Sequence, residues 1–271
     1  MAKEDNYLNI NKAAWNYKTA VHVNSAFYDM PGFMSGKTSL NEIELKLLGD
    51  VSGKKVLHLQ CHFGQDTISL SRMGAYATGV DFSDKAIEEG RSIANETGAS
   101  TRFICCDIYD LPNHLNETFD IVFTSYGTIG WLPDLSKWGK VISQFVKPGG
   151  KFVFAEFHPV VWMFDPNFEK VGYNYFKEEA IIETDLGTYA DVTAPLENEM
   201  ITWNHSISEV IQALLGNHLE IVAFDEYDYS PYNCFNNVEE FEPGKYRVAH
   251  LGNKIPMVYS LAAVKKTHTN L

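Results

Sequence analysis

The chain of 271 residues is 45% hydrophobic and 21% charged, with 22 basic and 35 acidic side chains and a formal net charge of −13. That composition suits one large domain, or a core with an insertion, and supplies enough apolar material for a sizeable interior. The acidic balance, without any Lys/Arg run, argues against a protein that grips a nucleic-acid backbone, and no apolar stretch approaches the length of a membrane span.

Residues 1–40 concentrate aromatic side chains: Tyr7, Trp15, Tyr17, Phe27, Tyr28 and Phe33. The opening MAKEDNYLNINKAAWNYK has no apolar signal core, so a cytoplasmic location is expected. Asn11 is expected to cap a short helix carrying Ala14, Trp15 and Lys18, and Met30-Pro31-Gly32 to mark a turn. Leu40–Leu48 has the spacing of an amphipathic helix leading through Gly49 and Gly53 into a first strand.

Val56–Asp81, VLHLQCHFGQDTISLSRMGAYATGVD, reads as strand, tight turn with Gly64, helix and second strand. Val56, Leu57 and Leu59 supply the first strand, Ile68, Leu70 and Met73 the helix, and Ala77–Val80 the second strand. Such a βαβ unit implies a parallel sheet with a right-handed crossover. Ligands of these sheets sit beyond the carboxyl ends of the strands. Asp81 follows Gln60 by 21 residues, the distance at which a carboxylate takes both hydroxyls of a ribose.

Ser83 is a good N-cap for a helix through about Asn95, and Thr101–Ile108 is the next strand. Phe119–Gly127, FDIVFTSYG, is an apolar strand ending in small polar groups. Trp131-Leu132-Pro133-Asp134 should open a helix to about Val146. Lys147-Pro148-Gly149-Gly150 then turns into a strand at Lys151–His158. From Pro159 to Glu199 the pattern loosens, with a hairpin expected over Glu179–Asp191, turning near Asp185-Leu186-Gly187. A helix at Ser206–Leu215 and strands at Leu219–Asp228 and Pro256–Lys265 close the chain. The four cysteines, Cys61, Cys105, Cys106 and Cys234, lack metal-type spacing and should be reduced.

Val56–Gly64, VLHLQCHFG, resembles the first motif of the class I S-adenosylmethionine (SAM) dependent methyltransferases, an apolar strand ending in acid-x-Gly-x-Gly-x-Gly. His58 stands at the acidic position, Gln60 and His62 at the first two glycine positions, and Gly64 keeps its type. Asp81, Asp107 and the strand at Phe119–Gly127 follow the family's order. The apolar-KPGG step into Lys151–His158 is similar to the family's entry to its fifth strand. The resemblance covers roughly residues 50–160 by motif and 200–266 by element order.

The resemblance implies an α/β fold: a Rossmann-like, seven-stranded, doubly wound sheet with its last strand inserted antiparallel. A single domain would span 1–271, with residues 1–40 as a lid, 50–160 as the SAM-binding core, 160–200 as an inserted β roof over the substrate, and 200–266 ending the sheet. SAM would be the cofactor. Asp81 would take the ribose with Phe82 beside it, and Asp107 and the Ile108 N–H the adenine. His58, Gln60 and Gly64 would hold the amino-acid end, and Ser125 and Tyr126 would border the methyl-transfer centre. Tyr126 and Trp131 could also line the pocket or face the sulfonium.

Methyl transfer from a sulfonium relies on positioning and water exclusion, and needs a base only when the acceptor must lose a proton. His158, at the end of the fifth strand, is the first candidate, followed by His22 and His205. A metal at His58, Cys61 and His62 is not expected, because a closed zinc site needs four ligands. The expected partner is a small-molecule acceptor of oxygen, nitrogen or sulfur type, with no nucleic acid and no membrane. Two alternatives remain at this point. One is a non-catalytic SAM-binding or regulatory protein. The other is a nicotinamide-dependent oxidoreductase, whose G-x-G-x-x-G positions are held here by Gln60, His62 and Gln65.

Overall fold

A computed structural model describes residues 3–195 and 197–267, so two residues of the N-terminal segment, Leu196 of the inserted segment and residues 268–271 lie outside it. A long helix α1 (Tyr7–His22) is followed by the short α2 (Met30–Met34) and α3 (Glu42–Leu48). Strands and helices then alternate: β1 (Lys55–Leu59), α4 (Gln65–Arg72), β2 (Tyr76–Asp81), α5 (Asp84–Glu96) and β3 (Arg102–Cys105). They continue as β4 (Phe119–Ser125), α6 (Leu135–Phe145) and β5 (Val146–Phe157). An inserted pair, β6 (Ile181–Leu186) and β7 (Glu197–Thr202), precedes α7 (Ile207–Leu215) and β8 (Leu219–Tyr227). A hairpin of β9 (Val238–Glu242) and β10 (Lys245–Val248) precedes the last strand, β11 (Val258–Lys265).

Seven strands form one sheet in the order β3-β2-β1-β4-β5-β11-β8. β1 to β5 run parallel, with His58 opposite Gly79 on one side and Phe123 on the other. β11 runs antiparallel to both of its neighbours. The sheet is therefore the doubly wound, seven-stranded arrangement with an antiparallel last strand that the sequence implies. Its strand order reverses between β1 and β4, which opens a crevice at their carboxyl ends.

Central strands of such a sheet are apolar on both sides because helices cover both faces. On one face Trp138 and Phe145 of α6 and Leu214 of α7 pack over Leu57, Leu59, Phe152 and Phe154. Gly139 permits the close approach of these two helices, since a Cβ there would stand 2.4 Å from the Ala213 carbonyl oxygen. On the other face Leu48 and Leu70 cover Val56, Ile121 and Phe123, and Ile68, Ile87 and Ile93 gather around Phe103. Side-chain caps fix the helix starts: Ser83 on α5, Asp134 on α6 and Ser206 on α7, with a reciprocal Asn41/Glu44 box on α3.

Several local expectations are corrected. Asn11 lies inside α1, not at its cap; its amide donates to the Ile201 carbonyl at 2.7 Å and accepts the Ile201 N–H at 2.9 Å. Met30-Pro31-Gly32 is helical, because Asp29 caps α2 by accepting from Gly32 and Pro31 sits in the first turn, where it forfeits no bond. Met73 falls after α4 and is 38% exposed. β3 stops at Cys105 because Asp107 caps a short 3₁₀ turn, so Cys106 is outside the strand. α6 begins only at Leu135, after a 3₁₀ turn that contains Trp131. Lys147–Gly150 bulges within one continuous β5, four residues facing Asp120 alone. Glu179–Asp191 does not form the expected hairpin: within it only Thr188 and Asp191 bridge, and β6 pairs instead with β7, Ile181 opposite Thr202 and Leu186 opposite Glu197. The β9–β10 hairpin was not anticipated.

Candidate active site

The turn after β1 leads straight into α4, and its backbone is unusual. Gln60, His62 and Gly64 have φ of 54°, 52° and 74°. That left-handed region is natural for glycine and costs other residues about 1–2 kcal/mol each. Gln60 and His62 thus follow a glycine path without being glycine. Gly64 has no choice, since a Cβ there would lie 2.3 Å from the Phe103 ring. Strain of this kind gathers at ligand sites, where the surrounding structure maintains it.

Asp81 ends β2 beside this turn. One carboxyl oxygen accepts the His62 N–H at 2.8 Å and the other the Ser83 N–H at 2.9 Å, and the Phe82 N–H also acts on the carboxylate. Burial pushes Asp81 up to about 6 despite those three donors. Asp81, Val80 and Phe82 line a cleft with Gln60, Cys106, Asp107, Ile108, Trp131 and Leu132. Asp107 caps the turn after β3, accepting the Tyr109 N–H at 3.2 Å, and burial raises its carboxyl above the usual range.

Tyr7, Leu8 and Asn11 of α1 close the same cleft, whose free space is about 30 Å³. That is room for about one water, against the roughly 300–1,000 Å³ of a typical ligand pocket. α1 is held there from both ends of its contact. Asn16 and Lys12 engage Asp84 at 3.0 Å each, and Asn16 also accepts the Ser83 hydroxyl. Beneath α1, Trp15 contacts both His62 and Trp131 edge-on, and Lys18 lies 5.6 Å from each of the Trp15 and Trp131 rings.

Beyond β4, Tyr126 has φ of 44° and Gly127 71°. The buried carboxylate of Glu156, at the end of β5, fixes this turn by accepting the N–H groups of Gly127, Thr128 and Ile129 and the Thr128 hydroxyl. Gln60 donates to the Thr128 carbonyl at 2.8 Å, joining the two turns. Ser125 approaches Asp66 at 3.3 Å, and the Tyr126 hydroxyl donates to Glu44 at 2.7 Å.

The structure gathers Gln60, Asp81, Phe82, Asp107 and Ile108 around the cleft. Gly64 is the N-cap of α4, and Ser125 and Tyr126 lie at the adjoining β4 end. His58 is elsewhere: it is buried within the sheet, stacked on Phe123, with Nδ1 2.9 Å from the Thr67 hydroxyl, and burial pushes it down to about 3. The three histidines considered as bases also separate. His158 has Nε2 2.9 Å from Glu226 and Nδ1 accepting the Val160 N–H, so both ring nitrogens are committed; burial outweighs Glu226 and keeps it below its ordinary value. His205 is fully buried between the Leu132 carbonyl and Glu209. His22 is wholly buried with neither ring nitrogen partnered, stacked on Tyr28 and 4.8 Å from Tyr189. Burial and Lys18 push it down to about 3.

Sequence reasoning missed Glu156, Glu44 and Asp66, and Tyr7 and Leu8 as cleft residues. Glu156 had a readable signal, a charge inside the apolar run KFVFAEFH, and Glu44 had the Asn-x-x-Glu capping spacing. Asp66 had none beyond the acidic preference of a first helical turn. Among the described residues no group of three His, Cys, Asp or Glu side chains is arranged for a metal ion.

A family model described as a methyltransferase domain matches residues 56–150. An uncharacterized methyltransferase of Synechocystis sp. is 32% identical over 163 residues, covering 58% of this chain and 74% of the relative. A ubiquinone biosynthesis O-methyltransferase of Coxiella burnetii is 29% identical over 210 residues, 75% of this chain and 85% of that one. The crystal structure of an S-adenosylmethionine dependent methyltransferase from Mesorhizobium loti superposes with a TM-score of 0.57 at 17% identity, over 85% of this chain and 99% of that one, a likeness of fold. The chain belongs to the class I SAM-dependent methyltransferases, and SAM is its cofactor. The nicotinamide reading falls with that assignment.

The residues present fit SAM. Gln60 Oε1 and His62 Nε2 are buried without partners beside Asp81, and such atoms are costly unless a ligand satisfies them.

Proposed function

We propose that the protein transfers the methyl group of SAM to a small-molecule acceptor. The observation that carries this reading is the buried Asp81 carboxylate at the end of β2, next to a strained turn that holds two orphaned polar atoms. Asp81 would hold the ribose, Asp107 and Ile108 the adenine, and Gln60, Gly64 and Ser125 the amino-acid end. His58 would support the turn from within the sheet. Bound there, the sulfonium supplies an electrophilic methyl group.

This chain's own contribution is to bind, orient and exclude water. α1 would act as the lid and the β6–β7 arm as the roof, joined through Asn11 and Ile201. Tyr126 would border the transfer centre. His22 has neither ring nitrogen bonded, but burial and Lys18 hold it at about 3, too weak a base for neutral pH, so positioning and not a histidine base carries the transfer. The acidic surface, with a net charge of −13, favours a small or cationic acceptor over nucleic acid.

The test is formation of S-adenosylhomocysteine by the purified protein from SAM and a panel of small phenols, amines, thiols and carboxylic acids. Acceptor-dependent product supports the reading. Tight binding of S-adenosylhomocysteine without turnover on any member would favour the non-catalytic alternative instead.

A further inference from the structure

Beside the SAM cleft a second group of side chains gathers at the end of β4. Asp66, Ser125, Tyr126, Tyr232, Phe27 and Tyr28 are each only partly buried. Yet burial is the leading influence on the Asp66 carboxyl and on all three of those phenols, each pushed above its ordinary value. Asp66 and these three phenols lie close enough to influence one another, next to the exposed Tyr189.

The rings form a wall. Tyr126 and Tyr232 meet edge-on at 5.1 Å, Phe27 stacks on Tyr232 at 5.8 Å, and the Tyr28 and Tyr189 hydroxyls touch at 2.5 Å. His22, wholly buried and unpartnered at both nitrogens, packs on Tyr28 and Tyr189 from the α1 side. Behind Tyr126, the buried Glu44 accepts its hydroxyl proton at 2.7 Å, which raises the electron density on the phenol oxygen and ring. Asp66 meets only the hydroxyls of Ser125 and Ser39. Among the described residues neither Asp66 nor Glu44 has a basic partner.

A buried carboxylate without a countercharge is costly, and aromatic faces attract cations. Resting on the methyl-transfer reading, we propose that this cluster receives an ammonium group of the acceptor, with Asp66 as its countercharge and the Tyr126, Tyr232 and Tyr28 rings as its cage. The enzyme is then an N-methyltransferase for small amines. Glu44 is a positioning residue that acts through Tyr126. An ammonium has no lone pair, so its nitrogen first gives one proton to Asp66, whose carboxyl burial holds above its ordinary value. The freed pair then forms the N–C bond as the methyl carbon's bond to sulfur breaks, its electrons staying on sulfur. The products are a methylated ammonium and a neutral thioether, with one proton released to solvent.

The experiment is calorimetric titration, in saturating S-adenosylhomocysteine, of phenethylammonium and its neutral isostere 2-phenylethanol. The expected result is binding of phenethylammonium at least tenfold tighter than the alcohol. In Asp66→Asn that preference should vanish, while S-adenosylhomocysteine affinity stays within about twofold and so reports intact folding. Equal binding of the two probes to the wild-type protein, or binding of neither, overturns the proposal without recourse to a variant. A loss of S-adenosylhomocysteine affinity in Asp66→Asn, with the amine preference intact, also overturns it and assigns the carboxylate to the cofactor's own ammonium. Methyl transfer to a phenol with amines refused would sink the amine class and leave methyl transfer itself standing.

Discussion

Gln60 and His62 occupy backbone positions, at φ of 54° and 52°, that L side chains rarely adopt. Each is kept there by bonds that only a side chain or this geometry supplies. Gln60 donates to the Thr128 carbonyl, and the His62 N–H reaches Asp81. The strain can be measured by comparing two truncations that both lose the Gln60 amide. Gln60→Gly should be more stable than Gln60→Ala by about 1 kcal/mol in urea unfolding, because only glycine relaxes at positive φ. In a regular helix or strand the order is reversed, with Ala the better residue, and that order here would show that the turn is not strained.

α1 is the element on which access to the cofactor turns. Its Tyr7, Leu8 and Asn11 fill the cleft, and Asn11 clamps it to β7 through both polar groups of Ile201. Asn11→Ala would strand a buried N–H and a buried carbonyl, at about 1–3 kcal/mol each when left unsatisfied. Thermal unfolding should therefore drop clearly, while S-adenosylhomocysteine binding becomes faster by stopped-flow as the helix loosens. An unchanged association rate would mean that α1 does not gate the cleft. The repeating core elements were legible because a buried parallel strand and a capped amphipathic helix write their periods into the chain, as Val56–Leu59 and Ser83–Glu96 do. The inserted segment was not. β6 finds its partner across ten intervening residues, 187–196, and β7 is tied to α1 through Asn11 and Lys18, contacts that no local pattern encodes. Within the site, Asp81 was legible from spacing alone. His158 follows β5 as strand order places it, but that order says nothing of neighbours such as Glu226 on β8, which engages its ring.

At the scale of the whole molecule, a surface with an excess of acidic over basic groups meets a cationic cofactor at the crevice where the strand order reverses. Everything proposed for the acceptor depends on SAM lying with its ribose at Asp81, so that residue carries the account. Burial sets its carboxyl at about 6; above that pH it is ionised and can accept from two hydroxyls, and below it the added proton removes an acceptor. Wild-type affinity for S-adenosylhomocysteine should accordingly weaken by roughly tenfold from pH 8 to pH 5, the span of about one pH unit below the titration. The deciding measurement is titration calorimetry of S-adenosylhomocysteine into the wild-type protein and Asp81→Asn at both pH values. The variant should fold, bind at least tenfold more weakly at pH 8, since charged hydrogen bonds contribute about 1.5–3 kcal/mol each, and lose the pH dependence. Wild-type affinity in a folded Asp81→Asn at pH 8 would contradict the account.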